Sequence, residues 1–233
     1  MKRSAICPLW VRVAVIVLPI LCTGFDAAFA ALAVRARAFA FYLNVPSQGV
    51  VDEYHGDTGW LPPLGGSQSS TLVNHNIGTV LSTDSASVSS DGDECEGESS
   101  VSIGPTALLA GAPGELTFSS LSSDDDDTCC VFVDHPKAAV ISDLVFGGSA
   151  VTVSGAFNQT VVRPGVGTLI VNELVVLSPD DCDDDDFLVN ALHLTLDSGE
   201  EIVIGCTIFH SDDQCCPIPV EPSSWGRIKA IYE

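Results

Sequence analysis

Basic side chains are scarce in this sequence. Its 233 residues contain 9 Lys and Arg against 31 Asp and Glu, which gives a formal net charge of -22. Proteins that bind nucleic acid or anionic lipid need Lys and Arg to displace counterions from phosphate groups. We therefore predict no nucleic acid partner and no role at an anionic membrane surface. The hydrophobic fraction of 46% is too high for an acidic disordered chain, so we expect a packed core.

Long apolar runs are also scarce, and the one present is at the N-terminus. Residues 13–21 (VAVIVLPIL) follow three basic residues and precede the small-residue sequence AFA at 28–30. This order is typical of a secretory signal peptide, and we place cleavage after Ala30, with Ala33 as the alternative. The run is shorter than the roughly 20 residues that cross a bilayer. We expect a secreted or cell-surface protein without a transmembrane span after cleavage.

Motifs that carry catalysis are absent from the sequence. It contains no G-x-S-x-G, H-E-x-x-H, P-loop or G-x-G-x-x-G pattern. None of the five histidines neighbours a Ser or Cys in a nucleophile context: His55, His75, His135, His193 and His210. We interpret His193, on a predicted strand, as a structural residue rather than a general base. We predict no catalytic residue.

Short alternating segments rich in β-branched residues dominate the chain after residue 35. The candidate strands are 37–45, 70–82, 99–103, 115–121, 130–134, 138–145, 150–154, 160–163, 168–177, 187–196 and 201–209. Short strands separated by Gly, Pro, Ser, Asn and Asp favour an all-β antiparallel sandwich, with a barrel-like fold as the alternative. A short helix is an alternative at 106–110. We assign 31–218 to one domain and 219–233 to a C-terminal tail.

The segment 188–196 shows the clearest period of two. It places Leu188, Asn190, Leu192, Leu194 and Leu196 on one face and the intervening residues, including His193, on the other. Such a pattern predicts a strand with its leucine face buried.

The acidic residues form four clusters between the candidate strands. The clusters are Asp91, Asp93, Glu94, Glu96 and Glu98; Asp124–Asp127; Asp180, Asp181 and Asp183–Asp186; and Asp212 and Asp213. Between Arg37 and Arg227 the only basic residues are Lys137 and Arg163, so few of these carboxylates can have an ion-pair partner. Like charges so close favour open, hydrated loops. We expect water, cations or a basic partner to screen them.

Consecutive aspartates supply the oxygen ligands that calcium prefers. The candidate ligands are Asp124, Asp125, Asp126, Asp127, Asp183, Asp184, Asp185 and Asp186. None of the runs follows the D-x-D-x-D-G pattern with its distal Glu, and consecutive residues on an extended chain point in alternating directions. Solvated loops that bind cations weakly are therefore favoured over specific calcium sites, which stay an alternative.

Seven of the nine cysteines follow the predicted signal peptide, where Cys7 and Cys22 lie. They are Cys95, Cys129, Cys130, Cys182, Cys206, Cys215 and Cys216. In an exported chain we expect disulfides, and the odd number leaves at least one thiol free or paired between molecules. The alternative is a structural zinc site, because Cys206, His210, Cys215 and Cys216 are zinc-type ligands. Their spacing fits no common zinc pattern, so disulfides are favoured.

Three segments carry a resemblance to a known family. They are 164–173 (PGVGTLIVNE), 189–194 (VNALHL) and 201–205 (EIVIG) with His210 and a following Cys. Together with 36–41 (ARAFAF) and 155–160 (GAFNQT), they make the chain resemble the bacterial choice-of-anchor P family over most of residues 35–216. The resemblance implies an exported, β-rich surface module and carries over no catalytic residues. The aspartate runs and doubled cysteines depart from it.

The C-terminal tail faintly resembles a sorting signal. Residues 219–225 (PVEPSSW) are similar to the start of a PEP-CTERM segment, but an apolar span and a terminal Arg cluster are missing. Trp225, Ile228 and Ile231 follow at helical spacing, next to Arg227 and Lys229. We interpret the tail as a terminal segment docked on the body or as a tag for a cell-envelope or extracellular-matrix partner.

These features lead to one functional expectation and two alternatives. We expect a non-catalytic, structural or adhesive β-domain at the cell surface, with acidic loops that bind cations loosely. One alternative is a specific calcium-binding module. The other is an extracellular glycoside hydrolase, whose two carboxylates would lie roughly 5–10 Å apart in a cleft.

Overall fold

The computed structural model describes residues 34–62, 65–93, 96–128, 136–177 and 187–211, and none of these lies in an α-helix. The strands are β1 (Val34–Val45), β2 (Val50–Asp57), β3 (Gly66–Ile77), β4 (Leu81–Gly92), β5 (Glu96–Ile103), β6 (Thr106–Leu108), β7 (Leu116–Phe118), β8 (Ser120–Thr128), β9 (Val140–Ser142), β10 (Val145–Phe146), β11 (Ser149–Ala150), β12 (Gln159–Arg163), β13 (Gly167–Val176), β14 (Phe187–Leu196) and β15 (Glu201–Ser211). A short 3-10 helix (Pro46–Gln48) joins β1 to β2.

The strands form two sheets in which every described pair is antiparallel. Sheet A has the order β12-β13-β14-β15-β1-β2, and sheet B has the order β11-β10-β7-β6-β4-β5-β8-β9, with β3 paired to β4. One of the two sheets is curled into a half-barrel. The predicted all-β antiparallel sandwich is confirmed.

A single main core lies between the two sheets. The large side chains that are fully buried there include Phe41, Leu43, Leu169 and Leu192 from sheet A and Leu81, Ile103, Leu116 and Phe146 from sheet B. Burying one such side chain contributes about 1.5 to 3 kcal/mol. The apolar face that each sheet turns inward is therefore what holds the sandwich together.

A row of residues with left-handed backbone conformation, which we call the left-handed row, crosses sheet A. Asn172, Gly205 and Gly56 have φ angles of 53°, 65° and 61° on alternate strands. Ala191 and Ala40 occupy the strands between them, and the pairing is interrupted at this row. The row therefore interrupts the regular pairing of sheet A without shifting its register.

The interrupted pairing accompanies a change in the predicted faces of β14. Ala191 and Leu192 are consecutive and both fully buried, so the alternation changes phase between them. Leu188 therefore lies on the outer side with His193, whereas Leu192 and Leu194 face the core. The strict period of two was wrong because it assumed regular neighbours, whereas the two adjacent strands have left-handed residues at Asn172 and Gly205.

Several strand boundaries also differ from the predictions. The candidate strand at 70–82 contains the turn that separates β3 from β4, where Gly78 has a φ of 52°. The strand β2 was not predicted because charged residues interrupt its apolar pattern. The helix alternative at 106–110 is wrong, since β6 occupies its start and Leu109 then turns the chain with a φ of 53°.

Three predicted segments lie outside the described residues. They are the signal peptide at 1–30, the candidate strand at 130–134 and the tail at 219–233. In the ranges that the structure does describe, no helix has the length and apolar character needed to cross a lipid bilayer.

Candidate functional site

Most described residues of two acidic clusters lie on neighbouring strands of sheet B rather than on loops. Asp91 belongs to β4, Glu96 and Glu98 belong to β5, and the run Asp124–Asp127 belongs to β8, whereas Asp93 lies in the connection between β4 and β5. Strand β5 pairs with β4 on one side and with β8 on the other. The predicted open loops are wrong for the residues on strands, because a strand that turns every second side chain to water accommodates acidic residues within a sheet.

The pairing register of these strands places like charges opposite one another. Asp91 pairs with Glu98, and Glu98 pairs with Asp126. Three carboxyl side chains therefore share the outer face of three adjacent strands, and we call them the acidic row. Like charges directly opposite one another destabilise a sheet, by about 0.2–1 kcal/mol for a pair. The arrangement is unfavourable unless a basic side chain or a cation screens the repulsion between the carboxylates.

A shallow depression of about 500 Å³ surrounds the acidic row. It is lined by Asp91, Gly92, Asp93, Glu96, Gly97, Glu98, Asp126 and Lys137. We call its five acidic residues, Asp91, Asp93, Glu96, Glu98 and Asp126, the acidic face. Lys137 Nζ forms an ion pair with Asp126 at one end, and both side chains are about half exposed (54% and 50%), so the pair adds little stability. The remaining charge favours cations or a basic partner.

The run of aspartates on β8 also has a structural reason. Strand β9 pairs with β8 only over Ser120–Ser122, so in the described part of the chain the rest of β8 has β5 as its one neighbour. Charged side chains on such an edge prevent pairing with strands of other molecules. Edge protection and cation binding use the same outward carboxylates.

Asp125 points the other way from its neighbours and joins the two sheets. Its side chain is fully buried, and its carboxylate accepts hydrogen bonds from Thr207 Oγ1 (2.6 Å), the Lys137 backbone N–H (2.7 Å) and Ser123 Oγ (3.2 Å). Burial raises the pKa of Asp125, although these three donors oppose the rise. Thr207 belongs to β15 of sheet A, so Asp125 is a polar link across the sandwich.

The aspartate runs do not form a metal cage in the part of the chain that is described. Asp124 is exposed and Asp125 is buried on the opposite face, as strand geometry requires. Among the described residues, no three His, Cys, Asp or Glu side chains are arranged to hold one metal ion. Asp183, Asp184, Asp185 and Asp186 lie outside those residues. A cation at the acidic face would be shared loosely among several carboxylates.

Cys206 is the one cysteine among the described residues, and its thiol is free. The residue is 1% exposed and packs with Phe39 and Val203 on the outer side of sheet A. Burial raises the pKa of this thiol, which makes it a poor nucleophile and a poor metal ligand. The disulfide predicted as an option for Cys206 is therefore not formed, whereas the other six candidate cysteines lie outside the described residues.

His193 is held between two carboxylates on the outer side of sheet A. Its Nδ1 is 2.8 Å from Glu173 Oε2, and its Nε2 is 2.9 Å from Glu201 Oε1. Asn190 Nδ2 also donates to Glu173 Oε2, at 2.6 Å. The Glu173 hydrogen bond raises the pKa of His193, and His193 in turn lowers the pKa of Glu173. The two ring nitrogens face different carboxylates, so His193 on β14 links β13 to β15.

A second charged cluster lies on the same side of sheet A. Arg37 donates to both carboxylate oxygens of Asp57, from Nε at 3.0 Å and from Nη2 at 2.8 Å. The guanidinium carbon is 4.6 Å from the ring centroid of Tyr54, which makes a cation–π contact. Burial would raise the pKa of Asp57, but the bonds from Arg37 and the Gly59 backbone N–H hold it below its ordinary value.

Sequence reasoning missed the residues that these clusters share. Lys137, Glu173 and Glu201 were not singled out, because their partners lie on other strands and the strand order is not visible in the sequence. His193 was interpreted as structural, and it lies within ion-pair distance of Glu173 and Glu201. The excess of Asp over Lys and Arg was the one signal that pointed towards the acidic face.

No protein-family model, no curated protein and no solved structure matches the chain.

Proposed function

We propose that this protein is an exported, non-catalytic β-domain with a structural or adhesive role, and that its acidic face binds cations. The acidic row supports the proposal most directly. Asp91, Glu98 and Asp126 are aligned by the pairing of three strands, so their backbone positions stay close while the sheet is intact. Their mutual repulsion is relieved when a cation binds between them.

The chemistry of the acidic face favours hard cations held weakly. Its ligands are carboxylate oxygens on an open sheet surface, and these suit calcium or magnesium rather than softer metals. Because the ligands form a row and not a cage, we propose several exchanging ions instead of one tight site. A cation bound here can also join the face to another acidic surface, which would suit an adhesive role.

Equilibrium dialysis against calcium tests this function. We expect weak binding of more than one ion per chain, and a clear loss in the double variant Glu98→Gln/Asp126→Asn. The matched control is Asp197→Asn, which removes an exposed carboxylate in the turn between β14 and β15. Equal binding by the double variant and the control would overturn the proposal, and one tight ion per chain would favour the calcium-module alternative.

Export is a separate part of the proposal with its own test. The protein recovered from the culture medium or cell surface should begin at Ala31, after cleavage behind Ala30. Full-length chain found solely inside the cells would contradict export. The resemblance to the choice-of-anchor P family, carried by segments such as 164–173 and 189–194, supports the same location.

A further inference from the structure

The edges of the two sheets meet at a pair of histidines. His55 lies on β2, at the edge of sheet A, and His75 lies on β3, at the edge of sheet B. Their ring centroids are 5.0 Å apart and the rings are tilted by 46°. Leu72 of β3 packs close to Gly56 of β2 beside them. The two imidazoles therefore bridge the seam between the sheets.

His75 has a buried ring nitrogen without a partner. His55 Nε2 and His75 Nε2 are both shielded from solvent; His55 Nε2 faces Glu53, whereas His75 Nε2 makes no hydrogen bond. Buried polar atoms of this kind are rare, because each one costs the free energy of losing water without a replacement. Such an atom beside a second buried imidazole calls for an explanation beyond packing.

A carboxylate stands next to this pair. Glu53 Oε2 is 3.3 Å from His55 Nε2, and the Glu53 side chain is 46% exposed. Burial, together with the nearby His75, lowers the pKa of His55, while Glu53 opposes this effect. Imidazole binds a metal ion through a ring nitrogen with a lone pair, so an ion at His55 Nε2 would take the place of a proton there.

The spacing of the rings fits two ligands of one metal ion. A zinc–nitrogen bond is about 2.0–2.1 Å and the ring centre lies about 1 Å further out, so two imidazoles on one tetrahedral ion have centres about 5 Å apart. The observed separation is 5.0 Å. Neutral imidazole with a carboxylate is a ligand set for zinc and similar ions, not for calcium.

We propose that His55 and His75 bind a divalent transition metal ion, represented by Zn2+, across the seam between the sheets, with Glu53 as the third ligand. No three described side chains form a finished ligand set. Glu53 therefore turns about its side-chain bonds to reach the ion, and water fills the fourth position. The site ties β2 to β3 and is separate from the acidic face, since it uses nitrogen ligands on other strands.

Thermal unfolding of the full chain with added Zn2+ tests the site. A ligand that binds the folded state alone raises the melting temperature. We expect Zn2+ to raise it by about 5 °C for the wild type at pH 7.5. The increase should vanish in His55→Gln and in His75→Gln. The matched control His193→Gln removes a histidine already paired with two glutamates, and it should keep the full Zn2+ increase whatever its own starting stability.

A second measurement covers variants that fail to fold. Co2+ added to the wild-type chain should give the visible absorption of a four-coordinate ion, and Zn2+ should displace it at one equivalent. The proposal is overturned if His75→Gln keeps the same Zn2+ increase as the wild type, or if Co2+ produces no four-coordinate spectrum. Either result leaves calcium binding at the acidic face untouched, so the two proposals fail independently.

Discussion

Asp125 shows how one residue within an acidic run can have a role opposite to that of its neighbours. Its carboxylate accepts from Thr207 of sheet A and from the Lys137 backbone, and its side chain is fully buried. Asp124, one residue earlier, is exposed on the outer face. Alanine substitutions at the two positions therefore compare the loss of a link between the sheets with the loss of a surface charge.

We predict that Asp125→Ala lowers the free energy of unfolding by about 2 to 4 kcal/mol, because it leaves buried donors unpaired. The control Asp124→Ala should change it by less than about 0.5 kcal/mol, as exposed substitutions usually do. Urea unfolding measures both. Equal effects of the two variants would mean that Asp125 does not link the sheets.

His193 makes the stability of sheet A depend on pH. Its folded pKa is raised above the unfolded value, mainly by Glu173. The protonated ring therefore stabilises the fold fully below a pH of about 6.5, and this contribution is lost as the pH rises through the folded pKa. Glu173, whose pKa is lowered, loses its contribution as the pH falls through its folded pKa.

We predict that His193→Gln lowers the free energy of unfolding by about 1.5 to 3 kcal/mol at pH 6, where the ring is charged and hydrogen-bonded. The difference from the wild type should shrink at pH 9, because the wild-type ring loses its proton as the pH rises through its folded pKa. Urea unfolding at the two pH values measures this. The same difference at both would rule out a charged His193 as the cause.

At the scale of the strand, the left-handed row is where the regular pairing of sheet A is interrupted. A Cβ added to Gly205 would lie 2.8 Å from Leu121 Cδ2 and 3.1 Å from Ala191 Cβ. Leu121 belongs to β8 of sheet B, so the glycine lets the two sheets approach each other. The position needs glycine both for its backbone angle and for this close packing.

Gly205→Ala should therefore lower the free energy of unfolding by about 2 to 4 kcal/mol, from backbone strain plus overpacking. The control Gly199→Ala has a similarly positive φ, at 85°, but nothing lies within 4 Å of its added Cβ. It should cost about 1 to 2 kcal/mol for the backbone angle alone. Equal losses would show that packing at Gly205 does not matter.

Long strands such as β14 could be predicted from the sequence, but the change of phase in their alternation could not. The segment 187–196 coincides with β14 because its apolar and β-branched residues form one continuous run. The phase change at Ala191 depends on Asn172 and Gly205, which are distant in sequence and adjacent in the sheet. Local periodicity contains no information about such neighbours.

The candidate site was predictable in composition but not in geometry. The excess of aspartate predicted repulsion and a need for screening. Nearly all of β4 and β8 was not predicted as strand, since the candidate strands ended at 82 and 121 and residues such as Asp and Gly disfavour strands on their own. Pairing with β5 overrides that local preference, and only this pairing brings Asp91, Glu98 and Asp126 together.

At the scale of the whole molecule, the net charge of -22 is distributed unevenly. The core between the sheets is apolar, while the acidic face gathers five carboxylates around one lysine. Five of the 31 acidic side chains lie together on this face, where neighbouring strands hold their backbone in place. We expect this local charge to make the stability of the protein sensitive to cations.

The most direct test of the central claim is the melting temperature in calcium chloride compared with sodium chloride at the same ionic strength. General screening acts equally in both salts, whereas binding at the acidic face adds stability in calcium alone. We predict that calcium raises the melting temperature of the wild type by about 2 to 5 °C more than sodium does, and that Glu98→Gln/Asp126→Asn loses most of this difference. Identical curves for the two salts, or an unchanged difference in the double variant, would contradict cation binding at the acidic face.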